Sequence, residues 1–231
     1  MHVFIGTSDV GFTPGQWNVR GPVRAGDLDG FSEGDSVLIV DGYFGTQRAL
    51  TIAEIRAAIS RGVDLWGAVS MGALRAAECA PLGMKPIGTI AQLVVDGQIC
   101  SDSDLSVGVS ADGGCTVPFI NVRYLSRQLL DAGYAIEPVR EFLGEMRAKH
   151  FSVRTPKVLR DAAIRILGAE VEDYVTRRSE QADILAWDLK AMDLLCVFDQ
   201  LDGGLANAIE VSGPIPRSIN SLLSSTPQVL V

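Results

Sequence analysis

"VDLWGAVSMGALRAAE", Val63–Glu78, changes its period at Ser70. The half before Ser70 is an apolar run that reads as a buried strand. The half after it is rich in Ala, Leu, Met, Arg and Glu, all strong helix formers, and its helix is expected to stop before Pro81. Upstream, "SVLIVDG" (Ser36–Gly42) and "HVFIG" (His2–Gly6) are further short β-branched runs, as strands covered on both faces require. Between the second and third runs, "RALTIAEIRAAISRG" places Leu50, Ile52, Ile55 and Ile59 at helical spacing, with Arg61 in the last turn and Gly62 past the end. Strand, helix, strand, helix at this spacing implies parallel strands joined by right-handed crossovers. Residues 7–35, rich in Gly, Asp and Pro, read as irregular connection.

Beyond Pro81, "IGTIAQLVVDGQI" holds another short helix ended by Gly97, and "LSVGVSADGGCTVP" has two alternating runs around a turn, as in a hairpin. From Phe119 the texture becomes helical, through "FINVRYLSRQLLDAG", "IEPVREFLGEMRAK", "TPKVLRDAAIRILG" and "QADILAWDLKAMDLLCVF". Pro138 and Pro156 stand near helix starts, where the missing amide hydrogen is not needed. The fold class expected is α/β: a Rossmann-like parallel sheet followed by a helical C-terminal segment. Its parts are an α/β core over 1–118, a helical segment packed on that core over 119–202, and a tail over 203–231.

The chain has 231 residues and a net charge of −8. Acid is concentrated early: residues 1–118 carry 7 Lys+Arg against 13 Asp+Glu, and the rest 13 against 15. No basic stripe is present, so neither nucleic acid nor an anionic membrane is expected as a partner. No run of about eighteen apolar residues and no basic-then-apolar leader is found, which points to a cytoplasmic address. The four cysteines form no CxxC, and the two histidines, His2 and His150, are not spaced as metal ligands. No metal and no cofactor is expected.

Ser70 can be read as a nucleophile, an anion anchor or a helix N-cap. A strand-to-helix turn puts it at the carboxyl edge of the sheet, where ligands of open α/β sheets bind. Ala68 and Gly72 flank it at the positions where a nucleophile elbow needs small residues, although glycine is usual where Ala68 stands. The amides of Met71 and Gly72 would face an oxyanion or another anion. Asp41, ending the neighbouring strand, faces the same edge, either to orient a base or as a turn residue before Gly42. Tyr43 follows on the loop. His150 is the candidate base. Arg75 and Glu78 lie three apart on the helix and pair by default, with Arg75 able to face an acidic group instead.

"DGYF", "SMGALRAAE" and "LGM" resemble the TfuA-like family, and "VFIG", "NVRYLSRQL", "HFSVRT" and "QADILA" fit it in order over roughly residues 1–200. The resemblance implies work beside a YcaO enzyme, which activates a backbone amide with ATP so that a thioamide is installed in a ribosomally made precursor peptide. It further implies that this chain helps release sulfide from a thiocarboxylated ubiquitin-like carrier protein, a role for which the reading of Ser70 as a nucleophile would make it a serine-type hydrolase. Alternatively the chain activates YcaO or holds its peptide without catalysis. Asp41, Ser70, Gly72, Arg75 and Glu78 fall in matched motifs. Two departures stand out. Ile52 replaces a family histidine in "TIAEI", though Glu54 remains. "SDSDLSVGVS" keeps Asp102 and Asp104 but lacks the histidine that commonly follows.

Overall fold

A computed structural model of the chain describes residues 1–9, 11, 15, 17–43, 49–110, 113–179 and 187–202. Five strands form one parallel sheet in the order β2-β1-β3-β4-β5: β1 is His2–Phe4, β2 Asn18–Arg20, β3 Ser36–Ile39, β4 Asp64–Gly67 and β5 Lys85–Pro86. This is a doubly wound order, with its switch point between β1 and β3. Val3 pairs with Leu38, and Leu38 with Trp66, so the apolar runs seen in the sequence are the three central strands. The two edge strands carry no such signal. The residues of β2 are all exposed, and β5 is two residues long with a proline, which edge positions tolerate.

Helix α1 (Ile52–Ser60) joins β3 to β4. Thr51 caps it, and its Oγ1 accepts from the Glu54 amide while the Glu54 carboxylate accepts from the Thr51 amide. The buried face of α1 holds Ile55 and Ala58. Leu50 is buried but precedes the helix, and Ile52 is exposed, so the apolar spacing there was only partly a helix face. Arg61 is the C-cap, not a last-turn residue; its guanidinium donates to the carbonyls of Leu28 and Phe31, which pins the connection after β2. Gly62 follows at φ 86°, a conformation that favours glycine.

Helix α2 (Met71–Cys79) joins β4 to β5, and α3 (Thr89–Val95) follows. Next come α4 (Asp102–Leu105), α5 (Phe119–Asp131), α6 (Ile136–Ala148), α7 (Pro156–Leu167), α8 (Glu172–Ser179) and α9 (Leu189–Asp202). Pro156 is the first residue of α7. Among the described residues, the expected hairpin is reduced to one antiparallel bridge, Val109 with Cys115. The expected tail over 203–231 lies outside the described residues.

The chain divides into two compact units. One comprises Met1–Asp102 together with residues 190–202, and its core gathers Val37, Ile39, Ile55, Leu65 and Met71. The other spans Ser103–Leu189, with a core built on Val122, Leu125, Phe142, Met146 and Leu159. The change of texture at Pro118 marks the start of α5. No described helix is long and apolar enough to cross a membrane.

Candidate functional site

At the carboxyl end of β4 the chain reverses within three residues. Val69 has φ 65°, and the Ser70 amide donates to the Ala68 carbonyl at 2.8 Å, closing a γ-turn. A β-branched residue at positive φ is strained, and such strain persists only where surrounding packing enforces it. Val69 is fully buried. The turn lets α2 start directly against β3. A Cβ on Gly72 would lie 1.8 Å from the Ile39 carbonyl oxygen, and one on Gly67 would lie 2.2 Å from the Gly72 oxygen. Glycine at both positions is therefore what allows helix and sheet backbones to meet.

Two features of this turn were not legible in sequence. The Gly72 amide donates to the Val40 carbonyl at 3.0 Å, so it is not available to an oxyanion as expected. The Met71 amide meets no acceptor among the described residues, while the Met71 side chain is buried in the core. Ser70 begins the helix but makes no side-chain capping bond. Its Oγ instead accepts from Lys190 Nζ at 3.1 Å. Each residue of the pair is only 4 % exposed.

Lys190 was missed. It sits on α9 three residues before Asp193, which is fully buried. Both Asp193 oxygens accept backbone amides, from Thr89 at 2.7 Å and Ile90 at 3.0 Å. The carboxylate thus caps α3, whose own N-cap, Gly88, has no side chain to offer. Burial pushes the Asp193 carboxyl up to about 6, against the pull of its hydrogen bonds to Thr89 and Ile90. Burial, and then the charges of Asp193 and Asp199, raise the Cys196 thiol to about 11. The available signal was Lys and Asp at a three-residue spacing inside the otherwise apolar "LKAMDLLCVF".

Asp41 is 5 % exposed and holds the loop after β1. Its Oδ2 accepts from the amides of Gly6 and Ser8, and its Oδ1 from Ser8 Oγ, each at 2.8 Å. It therefore spans the β1/β3 switch point. Tyr43 is half exposed and lines a hollow of about 340 Å³ with Phe4, Arg20, Pro22, Arg24 and Asp27. Arg75 forms an ion pair with Glu78, and its buried Nε has no acceptor among the described residues. His150 belongs to the other unit, where it caps the 3-10 turn Phe151–Val153; its Nδ1 accepts from the Ser152 amide and lies 2.8 Å from Ser152 Oγ. Within its own unit, Ser70 is met by Lys190. Among the described residues no group of three or more His, Cys, Asp or Glu is placed to hold a metal ion.

Compared with known protein families, residues 41–155 match the one described as TfuA-like protein. These residues are a TfuA-like domain. The TfuA-like match begins at Asp41 and takes in Ser70, Gly72, Arg75, Glu78 and His150; Lys190 lies beyond it. A TfuA-like domain implies a role accompanying a YcaO enzyme in thioamidation. No curated protein matches the chain.

Proposed function

We propose that this TfuA-like chain is a serine hydrolase serving a YcaO partner, with Ser70 as nucleophile and Lys190 as its base. The substrate is the C-terminal thiocarboxylate of a ubiquitin-like carrier protein, and the sulfide released supplies thioamidation of a precursor peptide. The observation that carries the reading is the 3.1 Å contact of Lys190 Nζ with a serine Oγ that caps nothing. Ser–Lys pairs are an established variant of the nucleophile-and-base arrangement.

In the first half-reaction Ser70 Oγ bonds to the thiocarboxylate carbon as its hydroxyl proton passes to the Lys190 amine. The Met71 amide hydrogen donates to the developing oxyanion. Collapse breaks the C–S bond, and Lys190 returns its proton to the departing sulfur, giving hydrosulfide and an acyl ester on Ser70. In the second half-reaction Lys190 takes a proton from water as its oxygen bonds to the acyl carbon. Ser70 leaves with a proton, and the carrier ends as a carboxylate. The sum is thiocarboxylate plus water to carboxylate, hydrosulfide and one proton. Asp41 acts through the loop it holds, and His150 stands outside the proton transfers.

The near-complete burial of Ser70 and Lys190 also favours a second reading, in which the chain activates YcaO or holds its peptide and the pair is a structural tie. Sulfide release from thiocarboxylated carrier, with and without YcaO, separates the two. The hydrolase reading expects release by the wild type and a loss of about 10³-fold or more in folded Ser70→Ala. Undiminished release by that variant overturns the nucleophile assignment. No release by the wild type, with tighter YcaO–peptide binding in its presence, establishes the second reading.

A further inference from the structure

In the second unit a buried carboxylate lies within the charge influence of three guanidinium groups. Asp104 on α4 is 3 % exposed and accepts from Arg147 Nη1 of α6 at 3.2 Å. Arg123 of α5 and Arg154 also act on Asp104 through their charges, and both are buried. Arg154 is 1 % exposed, and its Nη2 donates to the Ser103 carbonyl at 2.8 Å and to Ser103 Oγ at 2.6 Å. Its Nε and Nη1 are buried and have no acceptor among the described residues. The Phe119 ring lies under two of the cations, 4.8 Å from Arg147 and 5.6 Å from Arg154.

The charges in this cluster act on one another. Burial lowers the Arg154 guanidinium, the charge of Asp104 opposes this, and the Arg147 cation adds to it. Burial also raises the Asp104 carboxyl against the pull of the three arginines. With its carboxylate engaged by Arg147, Asp104 leaves two buried donors of Arg154 with nothing among the described residues to accept from them. Buried donors without acceptors are rare and point to a missing partner. The ring gives the guanidinium planes a face to lie on, and their N–H groups stay in plane for an acceptor.

We propose that Arg147 and Arg154 form a binding site for a carboxylate-sized oxyanion, with Arg154 Nε and Nη1 as its unfilled donors. Access is beside Arg147, whose side chain is 52 % exposed, and Asp104 is the internal competitor for the same charge. The oxyanion comes either from a free ion or from the carboxylate end of a peptide chain. None of Ser70, Asp41 or Lys190 takes part, so the site stands or falls independently of the hydrolase reading.

The test is isothermal titration of the full chain with inorganic phosphate in one arm. The other arm uses a short peptide with a free C-terminal carboxylate, paired with the same peptide as its C-terminal amide. The proposal expects saturable one-to-one binding in at least one arm. Phosphate binding alone names a free oxyanion; binding of the free peptide and not its amide names a chain terminus. Asp104→Asn, which removes the competitor, is expected to tighten binding about fivefold, and Arg147→Gln to weaken it about tenfold. Both substitutions leave Arg154 in place, and circular dichroism verifies the fold. Absence of saturable binding in both arms overturns the site, as does binding that neither substitution moves.

Discussion

Lys190 Nζ donates to Ser70 Oγ at 3.1 Å across 120 positions of sequence. Asp193 fixes α9 one turn further on by accepting the first amides of α3, so the lysine is aimed by a second buried charge on its own helix. Two buried ionisable side chains on one apolar helix are costly unless each has a defined partner, and here each has one.

A lysine base must accept a proton, which arginine cannot do at working pH. Lys190→Arg is therefore expected to lose sulfide release as fully as Lys190→Met, by about 10²–10⁴-fold in kcat. Single-turnover kinetics with thiocarboxylated carrier measures this. Activity in Lys190→Arg within a few-fold of wild type rejects proton transfer through this residue.

Gly72→Ala places a methyl group where the Ile39 carbonyl oxygen stands 1.8 Å away. Backbone cannot yield as a flexible side chain does, so the expected destabilisation is about 3 kcal/mol. Urea unfolding of the variant against wild type gives the value. A change below about 0.5 kcal/mol contradicts the close approach of α2 to β3.

Asp41→Asn removes one acceptor oxygen from a group that receives three hydrogen bonds. At least one donor among the Gly6 amide, the Ser8 amide and the Ser8 hydroxyl is left unpaired, at an expected cost of about 2 kcal/mol. Amide hydrogen exchange at Gly6 and Ser8 is expected to accelerate before that of the central strands. Unchanged protection there refutes Asp41 as the tie across the switch point.

Asp193 makes stability depend on pH with a definite sign. Its folded carboxyl is raised to about 6 by burial, above its ordinary value of 3.8, so the folded chain holds this proton more tightly than the unfolded one. Its contribution is greatest at low pH and is lost as pH rises through about 6. Between pH 5 and 7.5 the wild type is expected to lose about 1 kcal/mol relative to Asp193→Asn, which cannot titrate. Paired urea unfolding at the two pH values checks this. A gain with rising pH contradicts burial as the dominant influence on the group.

The central strands and α1, α2 and α3 were legible as sequence because local periodicity encodes which face of an element is buried. "SVLIVDG" and "VDLWGAV" have no polar alternation, and both run through the middle of the sheet. The positions of Ser70 and Asp41 at the carboxyl edge follow from where those strands end. Local pattern has no term for what crosses the chain. Asn18–Arg20 and Lys85–Pro86 are strands only because a neighbouring strand offers them an edge. Helical periodicity shows that Lys190 and Asp193 share a face, yet not that the face is buried against Ser70 and the start of α3. Nor does it show that the Gly72 amide is taken by Val40, or that Arg154 lies buried within reach of the charge of Asp104. A side chain's hydrogen-bonding capacity is a property of its residue type, while the partner that meets it is set by long-range packing, and packing settled which of this chain's polar groups form a site.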